Sequence, residues 1–435
     1  MEKRKMNVSE STPDGLQELS QQDLISKCEE LLKSNQELKK RLANCQQNQK
    51  SESKTKRKEH KQRPIDFSKY SKRHIAFKFL YLGWDYQGFA AQENTSNTIE
   101  EELFAAFLKS KLIKDRASAR YSRCGRTDKG VSAFGQVIAL DVRSNLSSGV
   151  GVTPSVKVTN DSKEELPYVK MLNRLLPPEI RILAHAAVDN EFDARFSCKT
   201  RKYRYYFPAL NLDVELMQKA AQKLVGEKDF RNFCKVDVGN NINHFIRNIV
   251  SFDVTRIGQS SLCMMEITGL AFLWHQVRCM AAVLILIGLG HEKPEILDYL
   301  LDVEKCPKRP QYGMASDVPL VLFDCTYDDN VKWIYEQDCN ENNMTHLQQV
   351  WIQKAVQSTM IGAMMDDLQS HSTVSSNNSA SQLSSILPGY RKVEYKPLNK
   401  RAVCEGLDRH MEKLAAKRLK LEEKSRGEQN TDILE

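Results

Sequence analysis

With 435 residues, 41% of them hydrophobic, the chain has room for two to three domains with substantial cores. Its net charge of +8 is modest, and its eleven cysteines are scattered with no Cys-x2-Cys pair, which argues against a small disulfide framework and against a zinc site of recognisable spacing. The longest apolar run, Ala281–Gly288, falls far short of the roughly 20 residues that span a bilayer, so no membrane span is expected.

Residues 1–72 read as an N-terminal extension. Met1-Glu2-Lys3-Arg4-Lys5 has no apolar signal region, and a reducing compartment is expected. Leu24, Cys28, Leu31, Leu38, Leu42 and Cys45 alternate by four and three with Asn35 in the seam, a short heptad pattern over 24–45. Three heptads are marginal alone, so either a weak dimerisation segment or a frayed lone helix fits. Lys54, Lys56, Arg57, Lys58, Lys61 and Arg63 crowd the linker 51–72, a solvated basic arm that also attracts phosphate and reads as a nuclear import signal.

The fold class expected from pattern is α+β: two α+β halves, 73–190 and 191–330, built around a largely antiparallel sheet. In chain order the first half offers a strand His74–Tyr81, a helix capped at Asn97-Thr98 and running Ile99–Leu112, and strands Ala119–Ser122 and Phe134–Val142. A polar, mobile insertion is expected over 146–164. The second half offers a strand Tyr203–Phe207, a helix Val214–Val225, strands Ile249–Val254 and Cys263–Ile267, a buried helix Ala271–Leu289 and a closing strand Leu320–Cys325. Residues 331–435 form an extension with a helix Thr345–Met365, a disordered Ser/Asn-rich segment over 366–388, and a basic tail around Ala415–Leu421 that resembles a monopartite nuclear localisation signal.

The chemistry concentrates in Arg123-Cys124-Gly125-Arg126-Thr127-Asp128-Lys129-Gly130-Val131-Ser132-Ala133. Gly125 and Gly130 permit positive φ and close approach of a ligand, and two arginines with a lysine around one carboxylate ask for a polyanionic substrate. Arg126, two residues before Asp128, leaves the same face if the approach is extended, within reach to orient the carboxylate. The spacing fits equally an ordinary turn in which Asp128 caps a backbone N–H and Arg126 makes a surface ion pair. Cys124 has no histidine near it in sequence and reads as a small buried residue. Arg278 interrupts a helix face made of Phe272, Leu273, Trp274, Val277, Met280, Val283 and Leu284, where a charge needs a partner or an escape to solvent.

This eleven-residue segment resembles the catalytic-loop signature of the TruA family of tRNA pseudouridine synthases. Tyr81–Phe89, Ala194-Arg195-Phe196-Ser197, Arg201–Tyr205 and Phe272–Arg278 are similar to further family segments in the family's order, and Gln92–Thr95, Asn97–Glu101, Lys332–Tyr335 and Thr345–Gln349 resemble the eukaryotic branch that modifies uridines 38 and 39 of the anticodon stem-loop. The likeness covers about 73–365 and implies two related halves sharing one sheet, with the active site in the cleft between them.

By position the resemblance makes Asp128 the nucleophile, Tyr203 the ring that stacks on the flipped uracil and handles a proton, and Arg278 the partner of Asp128. Arg126, Arg195, Arg123 and Lys129 are the further candidates for RNA contact, and Tyr205 is expected to pack. No metal or organic cofactor is implied, since substrate and product are isomers, and no Walker loop or Rossmann fingerprint is present. The implied partner is tRNA, with homodimerisation by family analogy and residence in nucleus and cytoplasm. A sibling acting on other uridines, a non-catalytic RNA-binding or tRNA-folding factor, and a coiled-coil partner with a vestigial core are the alternatives.

Overall fold

Strand β1, Ser71–Tyr81, is buried along almost its whole length because it has neighbours on both edges, pairing antiparallel with β3 (Ser132–Ser144) and with β5 (Ile180–Ala187). The computed structural model describes residues 65–155, 164–235, 244–371, 379–389 and 395–405. The heptad segment 24–45, the basic arm up to residue 64 and the tail around Ala415–Leu421 lie outside the described residues.

The remaining strands are β2 (Ser122–Arg123), β4 (Val152–Thr153), β6 (Thr200–Pro208), β7 (Gly226–Asp229), β8 (Ile246–Arg256), β9 (Leu262–Gly269) and β10 (Leu320–Thr326). They make one ten-stranded sheet in the order β4-β1-β3-β10-β6-β9-β8-β7, with β2 paired to β3 and β5 to β1. All pairings are antiparallel except β3 with β10, where Ser132 and Ala133 lie beside Val321 and Leu322. The last strand of the core therefore inserts beside the first residues after the Asp128 loop.

Two hydrophobic cores flank this seam. One gathers Ile75, Phe77, Phe79, Leu103, Phe107, Leu140, Tyr168 and Ile182; the other gathers Tyr205, Phe207, Met217, Phe230, Phe252, Ile267 and the central helix. Tyr203 packs against both. Helix α1 (Ile99–Lys109) starts at Thr98, whose hydroxyl accepts from the Glu101 N–H, with three acids in its first turn. Its apolar face, Leu103, Phe104 and Phe107, enters the first core as its spacing predicts. Helix α3 (Val214–Ala221) is capped by Asp213 and lies on β8 beside α4 (Gln276–Gly288).

Several elements differ from expectation. α4 begins at Gln276, not Ala271, because His275 takes a left-handed conformation (φ 64°) and the Gln276 side chain accepts from the Leu273 N–H, so 271–275 is a turn. The region expected to move holds β4, pinned where Val152 and Thr153 pair with Arg73 and Lys72 and Arg73 Nε donates to the Val150 carbonyl; residues 156–163 lie outside the description. α2 (Tyr168–Asn173), β5, β7 and α5 (Glu295–Leu301) were not expected. Short or all-apolar segments carry no periodicity that separates them from loops.

The extension departs most. α6 runs Gln337–Ser370, longer at both ends than Thr345–Met365, and buries only Cys339 and Asn343. The segment expected to be disordered includes the end of α6 and a helix, α7 (Ser379–Ile386). Leu383, Ile386 and Leu387 are buried in the second core, and the Ile386 carbonyl accepts from the Ser316 N–H and the Tyr205 hydroxyl. Three apolar residues amid serines are too few to show a period, but a groove in the core makes them sufficient.

Candidate active site

The loop between β2 and β3 is held from below and beside. The Cys124 N–H donates to Val137, Gln136 Nε2 donates to the Gly125 carbonyl, and the Tyr81 hydroxyl meets buried Thr127 Oγ1 at 2.7 Å. The turn Gly83–Phe89 closes over it: Phe89 N donates to Thr127 O, and Gly130 N to Tyr86 O. Glycine is demanded where these two segments touch. A Cβ on Gly83 would lie 2.0 Å from the Val131 carbonyl oxygen, and Gly130 has φ +76° against the Asp317 side chain. Gly125, expected to share this role, has open space around it and no positive φ.

Asp128 stands at the tip, its side chain 27% exposed, and the turn 271–275 and α4 meet it from the other core. Trp274 Nε1 donates to Oδ1 at 3.2 Å, His275 Nε2 lies 3.3 Å from Oδ2, and Arg278 Nη1 lies 3.8 Å from Oδ2. Arg278 is the one residue of α4 that is not buried. Its Nε donates to the Ala315 carbonyl at 2.8 Å while Ala315 N donates back to the Arg278 carbonyl, which fixes the guanidinium before any substrate arrives. Burial pushes the Asp128 carboxyl above its ordinary range; Arg278 and the Trp274 N–H pull it back, and the Asp317 charge pushes it further up.

Trp274 and His275 had no site role assigned from sequence. Their positions in an apolar run read as helix, and only the left-handed His275 swings both rings, stacked 4.3 Å apart, towards Asp128. The one local hint is that Trp274-His275 interrupts the apolar face with two ring N–H groups.

Tyr203 sits mid-strand on β6, between Ile267 of β9 and Leu322 of β10, its ring edge-on to Phe272 at 5.2 Å. Burial raises its hydroxyl well above the usual phenol range, so it stays protonated. Tyr205 is fully buried in the second core.

The cationic candidates separate. Arg126 and Lys129 are exposed on the loop, and Arg195 is exposed with its guanidinium 5.4 Å from the ring of Phe196, itself 80% exposed. Arg123 is placed otherwise than expected: its guanidinium is engaged by Glu100, a carboxylate 1% exposed that Arg116 also holds. Although burial alone would raise Glu100, the Ala91 N–H, the Tyr121 hydroxyl and Arg123 hold it below the usual carboxylate range. Arg201, a motif residue with no assigned role, donates to the carbonyls of Leu270 (2.6 Å), Arg195 (2.8 Å) and Cys124 (3.2 Å), tying three active-site segments together.

The arrangement presents one carboxylate, aimed by an arginine, a histidine and an indole, at the seam of two half-cores within a loop that carries exposed cations. It can attack or stabilise an electron-poor carbon of a polyanionic substrate.

A family model described as tRNA pseudouridine synthase matches residues 220–328. The tRNA pseudouridine(38/39) synthase of Bos taurus is 47% identical over 412 residues, covering 88% of this chain and 85% of that protein. The Saccharomyces cerevisiae protein of the same name is 45% identical over 318 residues, 71% of each chain. A tRNA pseudouridine synthase A from Methanosarcina acetivorans is 31% identical over 264 residues, 60% of this chain and 87% of that protein. The identity extends over most of both chains in the first of these relatives, and the chain belongs to the tRNA pseudouridine synthase family.

Proposed function

We propose that this enzyme converts uridine to pseudouridine at positions 38 and 39 of the tRNA anticodon stem-loop, with Asp128 as nucleophile. The observation that carries the reading is the Asp128 carboxylate held between Trp274, His275 and Arg278 at the seam of the sheet. The positions 38 and 39 are those in the names of the bovine and yeast relatives.

The reaction breaks the N1–C1′ bond of uridine, turns the base and forms C5–C1′; the proton lost from C5 is balanced by one gained at N1, so no co-reactant is needed. Asp128 adds to the flipped nucleotide or shields the cationic sugar, and Arg278 keeps it ionised and in one rotamer. Tyr203, protonated and half-buried beside the loop, stacks on the uracil and passes the C5 proton. Arg126, Lys129 and Arg195 contact phosphates and offset the few kcal/mol of unstacking.

The enzyme acts as a homodimer in this reading. α6 exposes Met344, Trp351, Ile352, Val356, Met360, Ile361, Met364, Met365 and Leu368, an apolar surface that a second copy would cover. The basic arm 51–72 and the tail near Ala415–Leu421 direct it to the nucleus, with a cytoplasmic pool besides.

The test is pseudouridine mapping by carbodiimide adduct and primer extension on unmodified tRNA, with wild type and Asp128→Ala. Stops at 38 and 39 that vanish in the variant are expected; tRNA binding without stops from wild type would make this an RNA-binding factor. Equilibrium sedimentation of Trp351→Glu/Met360→Glu tests the dimer, which is refuted if wild type is monomeric.

A further inference from the structure

Three cysteines that sequence spacing kept apart converge beneath the catalytic loop. Cys124, Cys198 and Cys325 are 2%, 8% and 2% exposed, and their sulfurs all lie within 4.8 Å of one another. They come from three segments: Cys124 from the root of the Asp128 loop, Cys198 from the turn before β6, and Cys325 from β10. Cys124 and Cys325 are closest, with sulfurs 3.3 Å apart, and the Cys198 thiol donates to the Thr200 carbonyl.

Beside them lies a cation with no matching anion. Arg201 is half-buried, donates to three backbone carbonyls, and among the described residues no carboxylate pairs with it. A guanidinium drawn out of water needs a counter-charge. The groups facing it include the three thiols and the Tyr203 hydroxyl.

We propose that Cys124, Cys198 and Cys325 bind a thiophilic divalent cation, Zn(II), as a structural site. Four ligands around zinc at about 2.3 Å stand roughly 3.8 Å apart, which the present spread of the three sulfurs meets with small side-chain shifts. The Tyr327 hydroxyl lies against Cys124 and donates to the Ala194 carbonyl. Binding deprotonates three thiols and releases three protons; Zn(II) with three thiolates carries one negative charge, which Arg201 neutralises. The metal plays no part in the chemistry at uridine. It fastens the root of the loop, four residues ahead of Asp128, to β10 and to the turn carrying Arg195 and Phe196.

The test uses full-length protein without a histidine tag from zinc-supplemented cells. Mass spectrometry of the metal should give about one zinc per chain, and Co(II) replacing it after chelation should show thiolate-to-cobalt charge transfer in the near ultraviolet. Cys198→Ser should lower bound zinc at least about tenfold, as should Cys325→Ser. Should a serine variant fail to fold, the wild-type cobalt spectrum decides alone. Wild type with less than about a tenth of a zinc per chain and no charge-transfer band on adding cobalt overturns the proposal and leaves three packed thiols; copper in place of zinc overturns the assignment of the metal.

Discussion

Replacing Arg278 by alanine tests the assembly of the site most directly. The guanidinium lies 3.8 Å from the Asp128 carboxylate, and at an effective dielectric of about 20 that separation is worth roughly 4 kcal/mol at most. With 27% of the Asp128 side chain exposed, solvent takes part of it, and about 2–3 kcal/mol is a fair expectation. That corresponds to a loss of roughly 30- to 150-fold in single-turnover rate at saturating tRNA. The loss has two parts that pH separates. Without Arg278 the carboxyl rises further, so the acid limb of the rate profile moves to higher pH, and raising the pH recovers that part; misorientation of the carboxylate is not recovered. Arg278→Lys, whose ammonium cannot keep both the Ala315 carbonyl and Asp128, should fall between. Full turnover in Arg278→Ala, with weaker tRNA binding and a salt slope reduced by about one, would make Arg278 a phosphate contact and refute the reasoning.

Asp317→Asn removes a charge that raises Asp128, so the acid limb should move to lower pH; a limb that stays put would separate the two carboxylates. Because the folded carboxyl of Asp128 is raised, its contribution to stability is fully present below the unfolded value and is lost as pH rises through the folded one. Asp128→Asn should accordingly melt above wild type at neutral pH, with the gap closing as pH falls, checked by calorimetry across pH. Arg123→Ala should lower stability by about 2 kcal/mol, less than the 3–5 kcal/mol of a fully broken buried pair because Arg116 still holds Glu100, and should leave the salt slope of tRNA binding unchanged; denaturant melts and filter binding separate the two. Leu383→Ala in α7 should cost about 2–4 kcal/mol in urea unfolding, and no loss would return this segment to a solvated tail.

What the sequence determined by itself is local. β1, β6, β8, β9 and β10 appear where β-branched and aromatic residues run, α1 starts at the Thr98 cap, and the buried helix is recognisable from its unbroken apolar composition. The loop Arg123–Ala133 stands out because unusual residues sit next to one another in the chain, and a charge at Arg278 in an apolar helix asks for a partner without naming one. Tertiary structure decided whatever depends on segments meeting. That Trp274 and His275 face Asp128 rests on one left-handed residue, and that Arg123 serves Glu100 rests on how α1 lies against β2. The start of α6 is docked where Asn343, in its second turn, donates Nδ2 to the Ile182 carbonyl of β5, and α7 where a groove in the second core accepts Leu383 and Ile386. Cys124 and Cys325 are 201 positions apart in the chain yet touch, since β10 returns to lie beside β3; no spacing rule along a sequence encodes a contact that only closure of the sheet creates.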